Sequence, residues 1–115
     1  MFWGKLASIN LYDCNSELIK NKGKINNYII KLCNIIKVKR FGLATIKRFA
    51  EGNLKGYSAM QFIETSSITL HFDETENRAF IDIFSCKDFK EKDAEKFSKN
   101  FFKAKRSKCK VLIRD

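Results

Sequence analysis

The sequence predicts an α+β fold: a two-layer sandwich in which two helices pack on one face of an antiparallel sheet. Three observations carry this. Short runs of alternating apolar and polar residues recur along the chain. Two longer runs repeat their apolar residues at helical spacing. There is no proline and no Gly/Ser-rich linker, so residues 1–115 read as one domain.

The elements follow in order. Lys5 to Tyr12 reads as a strand, with Ala7, Ile9 and Leu11 alternating against Ser8 and Asn10. Asp13 to Gly23 holds a turn and a short helix. From Lys24, the spacing of Ile25, Tyr28, Ile29, Leu32 and Ile36 predicts an amphipathic helix ending near Lys37. Val38 to Phe49 alternates again and predicts a second strand, closed by a turn at Glu51-Gly52-Asn53. Tyr57 to Glu64 and Ser67 to Phe72 are the next strands, and Asp73 to Asn77 is a polar turn. Arg78 to Phe84 is a strand that is apolar on both faces apart from Asp82. Asp88, with Glu91 three residues later, reads as a helix start. Ala94, Phe97 and Phe101 supply the buried stripe of that helix. Lys108 to Arg114 closes the chain as a strand. The order is β-α-β-β followed by β-β-α-β, with no sequence repeat between the halves.

Composition narrows the function classes. With 44% hydrophobic residues in 115, a folded domain with a real core is expected. No apolar run approaches the roughly 20 residues that span a bilayer. The opening Met1-Phe2-Trp3-Gly4-Lys5 lacks a signal-peptide pattern. A cytoplasmic protein is expected, without a membrane partner. The net charge of +10 invites a nucleic-acid reading. The lysines, however, are spread from Lys5 to Lys110 rather than gathered in a block, which fits a solvated surface better. The four cysteines form no C-x-x-C pair, and one histidine cannot complete a zinc set. Neither a metal nor a disulfide framework is expected.

One stretch gathers chemistry: Glu64-Thr65-Ser66-Ser67-Ile68-Thr69-Leu70-His71, with the only histidine of the chain. Strand alternation puts Ser67, Thr69 and His71 on one face and Ser66, Ile68 and Leu70 on the other. Taken alone, a histidine near a strand end and serines near a turn are ordinary structural features.

The stretch resembles the signature of the bacterial-type S-adenosylmethionine decarboxylases, E-S-H-(I/L)-(S/T)-I-H-T-W-P-E, followed by F-T-C-G. Ser66, Ile68, Thr69 and His71 match its first part. Phe84-Ser85-Cys86 matches the second, with the family's spacing of 15 residues from His71 to Cys86. Ala79-Phe80-Ile81-Asp82-Ile83-Phe84 is similar to the strand before that cysteine. Upstream, Leu11-Tyr12-Asp13-Cys14-Asn15, Arg48-Phe49 and Lys55-Gly56-Tyr57-Ser58-Ala59 resemble further family segments, so the likeness covers nearly the whole chain. Departures fall at Thr65, where the family has glutamate, and at Ser67, Leu6, Asn10 and Lys87. Thr75, flanked by Glu74 and Glu76, stands where relatives carry a ribose-gripping carboxylate.

The resemblance implies a self-processing proenzyme. The Ser66 hydroxyl would attack the Thr65 carbonyl, helped by a strained backbone. Cleavage would give a β chain of residues 1–65 and an α chain of 66–115 headed by a pyruvoyl group made from Ser66. That ketone would form a Schiff base with the substrate amine and act as electron sink. His71 would remove the Ser66 α proton, Ser58 would hydrogen-bond the processing intermediate, and Cys86 would protonate the product carbon. Phe49, Ile68 and Thr75 would contact substrate, and two protomers would join at the site of a homodimer. The expected substrate is S-adenosylmethionine, feeding spermidine synthesis. Arginine or ornithine, decarboxylated by the same cofactor, is the alternative, and an inactive, non-cleaving relative is a third reading.

Overall fold

The computed structural model describes residues 1–115. Along the chain come β1 (Gly4–Tyr12), α1 (Ser16–Ile19), α2 (Lys22–Ile35), β2 (Thr45–Phe49), a 3₁₀ turn (Gly52–Leu54), β3 (Gly56–Ile63), β4 (Ser66–Asp73), β5 (Arg78–Ser85), α3 (Glu91–Phe101) and β6 (Arg106–Arg114). The strands form one antiparallel sheet in the order β2-β3-β4-β5-β1-β6. The predicted α+β class and element order hold.

Alternation within the strands builds the core. Ala7, Ile9 and Leu11 of β1, Ala79, Ile81 and Ile83 of β5, and Ile68, Leu70 and Phe72 of β4 are buried on the helix side. From the other layer, α2 brings Ile25, Tyr28, Ile29, Leu32 and Cys33. Each large aliphatic side chain fully withdrawn from water contributes roughly 2 kcal/mol. Tyr28 lies at the centre. It stacks on Phe97 at 5.7 Å and meets Phe102 at 4.7 Å. Its hydroxyl pairs with Ser98 Oγ at 2.5 Å, so two buried polar groups satisfy each other. No helix is long and apolar enough to cross a membrane.

The structure corrects four expectations about elements and their faces. Helix α2 begins at Lys22, two residues early, because Asn21 Oδ1 accepts the Lys24 N–H at 3.0 Å. Lys22 and Gly23 add nothing to an apolar stripe, so periodicity could not see them. The strand expected over Val38–Phe49 starts only at Thr45. Residues before it form an irregular crossing with a lone bridge from Arg40 to Ile63. There, Phe41 and Leu43 are exposed despite their alternation. The buried Gln61 side chain donates to the Gly42 carbonyl at 3.1 Å, replacing a ladder bond.

Asp88 does not cap α3, whose N-cap is Lys90. Instead, Asp88 and Glu91 converge on the buried Lys5 ammonium at 2.8 and 2.7 Å. That ammonium also donates to the Phe89 carbonyl at 2.7 Å. An ammonium has three donors, and burying it requires a partner for each. Burial alone would lower the Lys5 pKa, but its bonds to Asp88 and Glu91 outweigh this and the net shift is upward. Finally, the sheet-facing residues of α3 are Ala94 and Ser98, with Phe102 just beyond its end. Phe97 and Phe101 are only partly buried and flank Tyr28. Small residues on α3 let it approach the sheet, which pushes the two large rings to its side.

The sheet's second face carries no helix. Register places Lys47, Ser58, His71, Phe80 and Asn10 in one lateral row across it. Met60, Phe62 and Leu112 stand on the same face and are about half exposed, and Phe84 meets Trp3 with ring centroids 6.0 Å apart.

Candidate active site

Two groups of reactive side chains occupy different places on the sheet. The first sits at the end of the β3–β4 hairpin. Ile63 pairs with Ser66, leaving Glu64 and Thr65 as a two-residue turn. Across β4 and β5, Ser66 pairs with Ser85, which brings Cys86 alongside the turn. The Cys86 N–H donates to the Thr65 carbonyl at 2.9 Å. Ser66 Oγ lies 3.5 Å from Cys86 Sγ. Thr65 Oγ1 lies 2.8 Å from Ser85 Oγ, and Ser85 is fully buried. The Ser66 hydroxyl therefore adjoins a carbonyl already polarised by a hydrogen-bond donor. Ser66 has φ 159°, close to extended, so the strain expected there is not expressed as a left-handed conformation.

The second group lies on the open face. Register sets Ser58 opposite His71, and Ser58 Oγ is 2.9 Å from His71 Nδ1. Both line a cavity of about 810 Å³ with Arg48, Phe49, Glu51 and Phe80. Gly56 opens that cavity wall. Its φ is 155°, and a Cβ there would lie 1.9 Å from the Phe72 carbonyl oxygen, so only glycine fits.

Ion pairs consume most of the nearby carboxylates. Arg48 holds Glu74 with two bonds, at 3.0 and 2.7 Å. Hydrogen bonding to Arg48 pulls the Glu74 carboxyl below its ordinary value despite its burial. Arg78 pairs with Asp73 at 2.7 Å and with Glu76 at 3.1 Å. Asp73 Oδ1 also accepts the Thr75 N–H at 3.0 Å. Glu51 stands outside these pairs.

The expected site residues are thus divided. Thr65, Ser66 and Cys86 come together at the hairpin end, while Ser58, His71 and Phe49 come together at the cavity. Ser66 and His71 lie five positions apart along extended β4, roughly 16 Å, and they point to opposite faces. Within one chain His71 and Ser66 therefore lie in separate groups. Ile68 belongs to neither. It is wholly buried against the helices, because it shares parity with Leu70 and not with His71. Thr75 lies outside the cavity lining, with its hydroxyl donating to the Asn53 carbonyl at 3.4 Å.

In the sequence Ser85 stands out only as the middle of Phe84-Ser85-Cys86. Its signal is the register with Ser66, which no local pattern reveals. Two of the other cysteines, Cys14 and Cys33, are buried in the core. Burial pushes the Cys14 thiol up to about 12 and the Cys33 thiol up to about 11.

Comparison with known proteins places this architecture. The crystal structure of the adenosylmethionine decarboxylase from Aquifex aeolicus VF5 matches with a TM-score of 0.84. The match covers 98% of this chain and 91% of that one, at 18% identity, and so shows a shared fold. A family model described as S-adenosylmethionine decarboxylase matches residues 5–115. The chain is a carboxy-lyase. It belongs to the S-adenosylmethionine decarboxylase family.

Proposed function

We propose that this chain cleaves itself between Thr65 and Ser66, and that the α chain so formed decarboxylates S-adenosylmethionine through a pyruvoyl group derived from Ser66. The observation that carries the reading is the Cys86 N–H on the Thr65 carbonyl, with the Ser66 hydroxyl on the next residue. That carbonyl must gain negative charge when Ser66 Oγ adds to it, and a donor is already in place. The Thr65 C–N bond then breaks and an ester to Ser66 Oγ remains. Removal of the Ser66 α proton expels the Thr65 carboxylate. Water replaces the residue 66 nitrogen with oxygen, and ammonia leaves.

The residues present fit a pyruvoyl group at position 66. The serine lies at the hairpin end, beside a thiol and only half-buried. When formed, this ketone supplies an electron sink for the carbanion left by carbon dioxide loss, which no side chain can supply. Cys86 Sγ, 3.5 Å from Ser66 Oγ, is placed to deliver a proton to the product carbon. His71, oriented by Ser58, is the base for the α proton. Phe49 in the cavity offers a ring face to the adenine.

The roughly 16 Å between His71 and Ser66 makes a second protomer part of this reading. The open face, with Met60, Phe62 and Leu112 exposed, offers apolar area for a homodimer in which the partner's imidazole reaches the end of the β3–β4 hairpin that carries Ser66. The product would donate aminopropyl groups for spermidine synthesis, in the cytoplasm.

Intact mass tests the reading directly. The parent should give two fragments, with the α fragment about 17 Da lighter than a serine-headed one. Ser66→Ala should stay whole. A parent that stays whole, or carbon dioxide released from labelled arginine or ornithine but not from labelled S-adenosylmethionine, would refute it.

A further inference from the structure

We propose that Thr65 and Ser85 form a hydroxyl clamp that positions the scissile peptide for self-cleavage. This inference rests on the self-processing reading above and gives a role to two side chains that reading leaves without one.

The turn needs an outside hold. Tight two-residue hairpin turns are favoured when their first central residue takes positive φ, which calls for Gly, Asn or Asp. Here the central residues are Glu64 and Thr65, and neither has positive φ. Local chemistry therefore does not specify this turn, and tertiary bonds do. The Glu64 N–H donates to the Lys39 carbonyl at 2.9 Å. The Cys86 N–H fixes the Thr65 carbonyl oxygen at 2.9 Å, and Ser85 Oγ fixes the Thr65 side chain at 2.8 Å.

Ser85 is well anchored for this purpose. It is fully buried at the end of β5, paired with Ser66 in the ladder. Its Oγ also accepts the Lys87 N–H at 3.0 Å, so the hydroxyl is fixed by two partners. Thr65 is consequently gripped twice, by its carbonyl oxygen and by its hydroxyl, from the adjacent residues Cys86 and Ser85. Two points of attachment stop the Thr65–Ser66 peptide plane from rotating. The carbonyl carbon then stays presented to Ser66 Oγ while its oxygen stays on the Cys86 N–H. Ser85 and Thr65 Oγ1 are positioning groups and exchange no proton with the reacting atoms.

The test is a time course of cleavage after cell-free synthesis, read on a denaturing gel. Ser85→Ala and the near-isosteric Thr65→Val should each slow cleavage roughly tenfold, the effect of losing one buried hydrogen bond. The double variant should be no slower than the worse single, because both remove the same bond. Ser85→Thr and Thr65→Ser keep the hydroxyls and should cleave near the parent rate. Placed in uncleavable Ser66→Ala chains, Thr65→Val leaves Ser85 Oγ bonded to the Lys87 N–H and should lower the melting temperature much less than Tyr28→Phe does, which a merely structural role would not predict. A parent that cleaves while Ser85→Ala and Thr65→Val keep pace would overturn the clamp alone. Slowing that multiplies in the double variant, or a lowered melting temperature accounting for it, would do the same. A parent that never cleaves would overturn the self-processing reading and the clamp with it.

Discussion

Mixing two inactive variants distinguishes a shared site from a self-contained one. Ser66→Ala removes the nucleophile and should never cleave. His71→Ala keeps the nucleophile but lacks the base, and should cleave roughly 10² to 10⁴-fold more slowly than the parent. Ser66 and His71 are five residues apart on β4, about 16 Å, and on opposite faces, so neither variant can repair itself. In a mixed two-fold dimer, the His71→Ala chain supplies Ser66 and Cys86 while the Ser66→Ala chain supplies Ser58 and His71. One of the two sites is then complete. Random pairing of equal amounts puts about half of the His71→Ala chains in mixed dimers. About half of that chain should be cut at the parent rate, and none of the Ser66→Ala chain. Co-expression with different affinity tags and a denaturing gel gives both fractions. Decarboxylation should return to about a quarter of the parent value on the same arithmetic. If the mixture cleaves no more than the separate variants, or His71→Ala cleaves at the parent rate alone, the shared-site argument fails.

Three further expectations follow from the packing. Gly56→Ala must move either β3 or the Phe72 carbonyl, since a Cβ would lie 1.9 Å from that oxygen. It should cost about 3 kcal/mol or more and deform the cavity beside Ser58, measurable as a lower melting temperature with a raised KM. Tyr28→Phe leaves the buried Ser98 hydroxyl without its partner and should cost about 1–3 kcal/mol, read as a lower urea midpoint at unchanged slope. Glu74 titrates below its ordinary 4.5 because of Arg48, so its charge stabilises the fold fully above 4.5 and less as pH falls through the lowered value. Glu74→Gln should accordingly be less stable than the parent at neutral pH, with the gap closing on acidification. Urea titrations at several pH values, made on uncleaved Ser66→Ala chains, would show a gap that does not change with pH if the Arg48 pair were unimportant.

The legibility of this chain varies by element. The strands β1 and β5 were plain in sequence because Ala7-Ile9-Leu11 and Ala79-Ile81-Ile83 alternate with residues that face the other way. Helix α2 was plain because one apolar stripe suffices to bury it. Motif spacing marked Ser66, His71 and Cys86, and strand parity already placed the serine and the imidazole on opposite faces. The segment before Thr45 misled, because Phe41 and Leu43 alternate like a strand but face solvent. Asp88 misled as well, because a helix cap and an ion-pair partner for Lys5 look identical from the neighbouring residues alone.

The amino-acid order therefore determined the layers, the elements and the reactive residue types, since periodicity and spacing are properties of neighbours along the chain. Tertiary structure decided which of those residues meet. Register set Ser66 against Ser85 and Ser58 against His71, and thereby split the expected site into two groups. Register depends on how whole strands bury their faces together, and no single segment contains that information.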